Sequence, residues 1–221
     1  MSQSTVLLDL DGTLLDSATG ITEHLSAAIV SVGAGLPLPE TLRACVGPPF
    51  EVVMPTLGLR PDQVQAAITE YRRTYDPVAS ALSVPYPGII ALLDRLVDHG
   101  IALAVATSKP ESLARDIVTD NGLAGYFEVI GGADLAIGRT GKAAVVGSVL
   151  DRLAMSNSAE MVMVGDRLHD VHGAAALGLA TIGVSWGYAE PGELLDAGAI
   201  AVVDTPRELG DLLLQRLRRA A

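Results

Sequence analysis

The first apolar run of this 221-residue chain ends in closely spaced carboxylates. Val-Leu-Leu at residues 6–8 is followed by D-L-D-G-T, which begins at Asp9 and includes Asp11. On a strand these two aspartates point to the same side, where their like charges repel and resist ionising together. Magnesium would remove this repulsion, because it binds carboxylate oxygens, commonly with water and a substrate phosphate. The spacing therefore indicates magnesium-assisted chemistry at the end of this run.

Three later segments carry polar side chains that could complete such a site. They contain Thr107, Ser108, Lys142, Asp166 and Asp170. Asp166 and Asp170 are candidate metal ligands beside Asp9. Asp170 could bind the metal directly or through water, and it could also cap a helix. The lysine and the two hydroxyl groups with their amides could hold phosphate oxygens. Together they predict a site for a phosphorylated substrate and magnesium.

The apolar runs predict the elements that position these residues. Strands are expected at Val6–Leu10, Ile101–Ala106, Glu128–Ile130, Met161–Val164, Ala180–Val184 and Ala201–Val203, with helical patterns such as Gly88–His99 and Glu111–Asn121 between them. The runs are nearly all apolar, which is typical of strands covered on both faces. Alternating strands and helices predict an α/β fold with a doubly wound parallel, Rossmann-like sheet. Ligands of such sheets bind beyond the carboxyl ends of the strands, where the polar residues lie.

One region interrupts this alternation. Between about Ala18 and Val84 we find no convincing strand, and apolar residues recur at helical spacing between prolines. We therefore predict a helical insert at residues 17–84 and a core formed by residues 1–16 and 85–221.

Composition narrows the classes of partner. A formal net charge of −11 disfavours nucleic acid and anionic membranes. Cys45 is the single cysteine, so no intramolecular disulfide framework is expected. No run approaches the roughly 18 apolar residues of a membrane span. We expect a cytoplasmic protein that acts on a small molecule, and the sequence does not indicate its oligomeric state.

The four polar segments, in this order, resemble the motifs of the haloacid dehalogenase superfamily of phosphohydrolases. The matches are D-x-D-G-T at residues 9–13, Thr107 or Ser108 at a strand end, Lys142 at a helix start and G-D-x-x-x-D at residues 165–170. The insert resembles the small mobile cap of that family. The stretches G-P-P-F, Y-R-R-T-Y, A-T-S-K-P and G-V-S-W-G-Y further resemble a bacterial subgroup described as phosphoglycolate phosphatase-like or as phosphatases of nucleotides.

The resemblance implies a mechanism and a role for each residue. Asp9 would attack phosphorus and form an aspartyl-phosphate. Asp11 would protonate the leaving oxygen and later deprotonate the attacking water, while its main-chain carbonyl binds the metal. Magnesium and Lys142 would stabilise the transferring group, and the cap would close over a small phosphorylated metabolite. As a hypothesis, Arg43 and the adjacent Gly-Pro-Pro at residues 47–49 form the specificity loop of the cap.

Several alternative functions compete with this interpretation. A nucleotide phosphatase, a sugar phosphomutase and a non-catalytic phosphate-binding module stay open, although the D-G-T sequence favours a phosphatase over a mutase. Phosphonate-cleaving members use a cap lysine, whereas Lys109 and Lys142 both lie outside the insert. His169 and His172 could ligate zinc, but solvated histidines are more usual. A G-x-S-x-G match at residues 183–187 lacks the later histidine that a serine hydrolase needs.

Overall fold

The computed structural model describes residues 4–154 and 161–218, and its centre is a six-stranded parallel sheet. The strands of this part of the chain are β1 (Thr5–Leu8), β2 (Leu15–Asp16), β3 (Val84–Pro85), β4 (Ala102–Pro110), β5 (Val129–Ala133), β6 (Met161–Gly165), β7 (Ala180–Val184) and β8 (Ala201–Val203). The main sheet has the order β5-β4-β1-β6-β7-β8, with every pair parallel. The predicted doubly wound α/β fold is confirmed.

Helices cover both faces of this sheet. The α-helices of the described residues are α1 (Ala18–Ser31), α2 (Pro39–Ala44), α3 (Phe50–Thr56), α4 (Pro61–Tyr75), α5 (Ile89–Asp98), α6 (Glu111–Asp120), α7 (Lys142–Arg152), α8 (Leu168–Ala175), α9 (Glu193–Asp196) and α10 (Pro206–Arg218). Along β1, Val6 and Leu8 pack into one apolar cluster with α5, α6 and α10, while Leu7 packs into a second cluster with α7 and α8. Alternate side chains are thus buried on opposite faces, which explains why the strand sequences are almost entirely apolar. None of these helices combines the length and the apolar character that a membrane crossing requires.

The strand ends differ from the prediction where the site begins. β7 and β8 have the predicted bounds, but β1 ends at Leu8, two residues early, because the chain turns back and the Leu15 amide donates to the Leu10 carbonyl. β4 continues to Pro110, with its register against β5 shifted between Ala106 and Pro110. Residues 107–109 therefore occupy an irregular strand end, where side chains are free to face a ligand.

Four helices, α1 to α4, lie between two short strands. β2 and β3 pair antiparallel at the points where the chain leaves and returns, and this small sheet was not predicted because two residues carry no readable alternation. α1 and α3 both pack against α4, burying residues such as Leu25, Met54 and Ile68. We call residues 17–84 the cap and the other described residues the core; their division into two domains stays a prediction.

Candidate active site

The three central strands of the sheet bring the predicted site residues together. β4, β1 and β6 are neighbours, so their carboxyl ends place Thr107, Asp9 and Asp166 side by side. α7 and α8 begin at the same edge and add Lys142 and Asp170. Residues far apart in the chain thus meet because parallel strands end together.

Three buried carboxylates form a compact group at this edge. One oxygen from each of Asp9, Asp166 and Asp170 lies within 4.8 Å of the others. Burial raises the pKa of Asp9 to about 6, with the charges of Asp170 and Asp11 adding to the effect of burial and Lys142 opposing it. Burial and the same kind of repulsion raise the pKa of Asp166 well above its usual range. The group needs positive charge to stay ionised.

Lys142 supplies one such charge. Its Nζ lies 2.7 Å from Asp9 Oδ1 and 2.7 Å from Asp170 Oδ1, and it donates to the Ala106 carbonyl at 2.9 Å. Burial opposes a charged lysine, but the two carboxylates outweigh it and raise the pKa of Lys142 above its ordinary value. α8 can approach this closely because residue 173 is glycine; a Cβ there would lie 2.6 Å from the Lys142 Cβ.

Asp166 is oriented by two donors from different loops. Thr13 Oγ1 donates to Asp166 Oδ1 at 3.1 Å, and the Tyr188 amide donates to Oδ2 at 2.8 Å. Gly12 has a φ of +84°, and a side chain there would overlap the Asp166 carboxylate. Gly12 and Thr13 of the D-x-D-G-T motif therefore help to position Asp166, which lies more than 150 residues later in the chain.

The two carboxylate oxygens of Asp170 have different partners, and its role as a metal ligand stays a prediction. Its Oδ2 accepts from the Arg167 amide at 3.0 Å, which caps the first turn of α8, while Oδ1 faces Lys142. The three carboxylates offer hard oxygen donors, which is the ligand chemistry that fits magnesium. Neither His169 nor His172 belongs to this group, and His172 is exposed.

Asp11 lies apart from the three carboxylates and has different partners. Ser17 Oγ donates to its Oδ1 at 2.6 Å, and Lys109 Nζ lies 3.1 Å from its Oδ2. Lys109 is buried and also lies 3.4 Å from the Tyr75 hydroxyl and 5.1 Å from the centroid of that ring. Burial disfavours the charge, but Asp11 and Tyr75 raise the pKa of Lys109 to about 12.

Lys109 was not predicted as a site residue, although a signal was available. It lies two positions after Thr107, so alternation on β4 directs both side chains to the same side. Both residues are buried, the Lys109 amide donates to Thr107 Oγ1 at 3.3 Å, and Ser108 between them is half-buried.

Arg43 lies at the surface, apart from the site residues described above. Its side chain is exposed, Nη2 donates to the Gly187 carbonyl at 3.5 Å, and the guanidinium carbon lies 5.4 Å from the centroid of the Tyr188 ring. Its role in specificity stays a prediction. Arg167 links core and cap: it donates from Nη1 to the Val46 carbonyl at 2.8 Å and pairs with Glu193 at 2.8 Å.

A cavity of about 1070 Å³ opens between core and cap above these residues. Its core side includes Asp9, Asp11, Thr107, Ser108 and Lys109, and its cap side includes Val46, Phe50, Val52, Tyr71 and Tyr75. Arg43 is not among the described residues that line it. The arrangement places two carboxylates and two hydroxyl groups on one accessible surface.

The family model described as haloacid dehalogenase-like hydrolase matches residues 6–184. Among curated proteins, the tyrosine-protein kinase PtkA of Mycobacterium tuberculosis is 38% identical over 211 residues, which cover 96% of this chain and 72% of PtkA. A 5′-nucleotidase of Pseudomonas aeruginosa is 35% identical over 190 residues, 86% of each chain.

A phosphoglycolate phosphatase of Rhodospirillum rubrum is 35% identical over 221 aligned residues, covering 94% of this chain and 90% of that protein. Among solved structures, a predicted phosphatase from Clostridium acetobutylicum matches with a TM-score of 0.90 and 35% identity. That match covers 97% of this chain and all of the other.

Proposed function

Because this chain belongs to the haloacid dehalogenase-like hydrolase family, we propose that it hydrolyses a small phosphorylated metabolite through an aspartyl-phosphate, with magnesium. The family, the phosphoglycolate phosphatase-like subgroup and the phosphatase class predicted from the sequence are confirmed. One observation carries the rest: Asp9 lines the cavity with one oxygen held by Lys142 and with Asp166 and Asp170 beside it.

Asp9 is the proposed nucleophile and Asp11 the proposed acid and base. An Asp9 oxygen bonds to phosphorus, the bond from phosphorus to the ester oxygen breaks, and Asp11 gives its proton to that oxygen. Water then attacks the aspartyl-phosphate, Asp11 takes a proton from it, and phosphate leaves. Both carboxylates line the cavity, as these steps require.

The phosphate oxygens would be held by Thr107, Ser108 and Lys142. The hydroxyl groups donate hydrogen bonds, and the lysine stabilises the charge that develops during transfer. Asp9, Asp166 and Asp170, with the main-chain carbonyl of Asp11, would hold magnesium. When bound, magnesium neutralises the carboxylates and withdraws charge from the phosphoryl group.

On the relatives alone, the first candidate substrate is a small phosphorylated acid such as phosphoglycolate, since a relative named for that activity covers almost the whole chain. A nucleoside monophosphate is the first alternative, because the 5′-nucleotidase relative is equally identical. A sugar phosphomutase and a non-catalytic phosphate-binding module remain as further alternatives.

The test is phosphate release from a panel of phosphomonoesters with magnesium. We expect turnover by the wild type and a loss of about 10³-fold or more in Asp9→Asn. The exposed Asp98 gives the matched control, Asp98→Asn, which should keep wild-type rates. Equal rates for wild type and Asp9→Asn, or no turnover of any ester, would favour the binding module.

The identity to PtkA motivates one further arm of this experiment. ATP and a tyrosine-containing peptide would be supplied in place of the esters. We expect no phosphotyrosine, because the proposed second step delivers the phosphoryl group to water.

A further inference from the structure

The cavity stays large although cap and core already touch on two sides of it. Tyr75 from the cap lies 3.4 Å from Lys109 Nζ, and the Val46 carbonyl accepts from Arg167 at 2.8 Å. The volume of about 1070 Å³ slightly exceeds the roughly 300–1,000 Å³ typical of sites for drug-sized ligands. A two-carbon acid would leave most of this space unfilled.

The wall beyond the phosphate position is apolar and partly aromatic. Val52 of the cap is 63% exposed and Leu135 of the core is 53% exposed, and both line the cavity. Phe50 lies 4.7 Å from the Tyr71 ring, edge to face, and Tyr71 stacks on Tyr75 at 5.0 Å. Tyr71 and Tyr75 are buried, so the half-buried Phe50 is the ring of this group that a ligand could contact. Large apolar side chains left exposed in a cleft commonly mark a ligand surface, and an aromatic side chain beside them suits a flat ring.

The charges of the lining do not suit a second anionic group on the substrate. The lysine and arginine side chains that line the cavity lie close to carboxylates. The pairs are Arg72 with Glu51 at 3.6 Å, Lys109 with Asp11 at 3.1 Å and Arg115 with Glu111 at 2.8 Å. Arg72 and Lys109 each pair with a separate carboxylate, whereas Arg115 shares Glu111 with Arg139 and Arg152. Asp76 and Asp134 add further acidic groups to the same lining. A carboxylate on the leaving group would meet repulsion from these acidic groups, and the cations that it could approach are already engaged with carboxylates.

From these observations we infer that the leaving group is uncharged and carries a flat ring, as in a nucleoside 5′-monophosphate or a benzyl phosphate, rather than a short acid. The inference rests on the proposed phosphatase activity and concerns the same cavity. Phe50, Val52 and Leu135 would contact the ring, while the phosphoryl group reaches Asp9. Burial of the ring against this wall supplies binding energy that a two-carbon acid cannot.

The experiment compares four esters of primary alcohols: a nucleoside 5′-monophosphate, benzyl phosphate, ethyl phosphate and 2-phosphoglycolate. We expect kcat/KM for the two ring esters to exceed that for 2-phosphoglycolate by about tenfold or more, which is a discrimination that an apolar pocket can provide. The two ring esters separate a preference for nucleosides from a preference for any flat ring. A phosphotyrosyl peptide is added as a macromolecular substrate.

A pair of neighbouring variants tests the wall itself. Leu135 and Ile137 occupy the same short turn and are both exposed, but Ile137 does not line the cavity. We expect Leu135→Ala to lower kcat/KM for the ring esters about threefold to tenfold, with ethyl phosphate unchanged, since burial of a few methylene groups is lost. Ile137→Ala should change neither. Because both positions are at the surface, neither variant should impair folding.

The outcomes separate the two levels of the proposal. Equal or greater kcat/KM for 2-phosphoglycolate, equal effects of the two variants, or a strong preference for the peptide would overturn the inference while Asp9-dependent phosphate release stands. If no ester is hydrolysed, the proposed function is wrong. Calorimetry of the wild type with nucleoside 5′-monophosphate and with 2-phosphoglycolate then decides the preference alone, tighter binding of the nucleotide supporting the inference and the reverse overturning it.

Discussion

Asp9 and Asp11 are two residues apart in the chain, but different parts of the molecule hold their side chains. The described partner of the Asp9 carboxylate is Lys142, whose other contacts, Asp170 and Ala106, also belong to the core. Asp11 is held by Ser17, the first cap residue, and by Lys109, which itself touches Tyr75 of the cap. The proposed nucleophile is thus positioned by core residues, whereas the proposed acid and base is positioned partly by the cap. We therefore expect a change in cap placement to affect proton transfer more than nucleophilic attack.

The largest expected effect comes from removing the metal, which is proposed to bind the carboxylates of the core. Chelation should abolish turnover, because the raised pKa values of Asp9 and Asp166 show that these carboxylates need added positive charge. Phosphate release should return when magnesium is restored, and zinc should substitute poorly, since the three carboxylates offer only hard oxygen ligands. Full activity in the presence of chelator would contradict the metal assignment.

Lys142→Met removes the positive charge that the core places between Asp9 and Asp170. We expect kcat to fall about 10²- to 10³-fold, as for other groups that stabilise charge in a transition state. The fall should be similar for alkyl phosphates and for p-nitrophenyl phosphate, because attack on phosphorus is impaired in both. Circular dichroism would show that the variant is folded. A fall confined to alkyl phosphates would contradict the assignment of Lys142 to the nucleophile.

Lys109→Met should have a smaller effect with a different dependence on substrate. The variant loses the Lys109 contact with Asp11, the proposed acid, so kcat/KM for alkyl phosphates should fall about tenfold. The kcat/KM of p-nitrophenyl phosphate should be almost unaffected, because this ratio reports formation of the aspartyl-phosphate and the p-nitrophenolate leaves without a proton. Steady-state rates of both variants with both esters form the test. Equal losses of Lys109→Met on the two esters would break the proposed division between core and cap.

The same comparison explains how much of the site could be predicted from the sequence. Asp9 and Lys142 lie where strand ends and helix starts of a parallel sheet must meet, so local patterns were sufficient. Tyr75 contributes through the packing of α4 against the core, and its contact with Lys109 depends on how cap and core are placed. That placement is set by long-range packing, which no short motif reports. For the same reason Arg43, chosen for its neighbours in the chain, lies outside the cavity lining.

The smallest expected effect concerns a charge cluster on the core side of the cavity, which has no described contact with either aspartate. Glu111 accepts from three arginines, Arg115, Arg139 and Arg152, at 2.8, 2.7 and 3.1 Å. Burial favours its neutral form, but these hydrogen bonds and charges outweigh burial and hold the pKa of Glu111 below its usual range. Glu111→Gln should therefore lower the free energy of unfolding by about 1–2 kcal/mol at pH 7, between the values for exposed and buried pairs.

The pH dependence of that loss shows whether the glutamate charge causes it. A carboxyl group with a lowered pKa in the folded state stabilises the protein above its unfolded pKa, about 4.3 for glutamate, and this contribution disappears as the pH falls through the folded value. The difference in unfolding free energy between wild type and Glu111→Gln should thus be constant from pH 7 to about pH 5 and shrink at lower pH. Urea unfolding at several pH values measures it, with the exposed Glu128→Gln as control. If the difference in unfolding free energy stays the same in acid, the charge of Glu111 does not cause it, and the loss comes from packing.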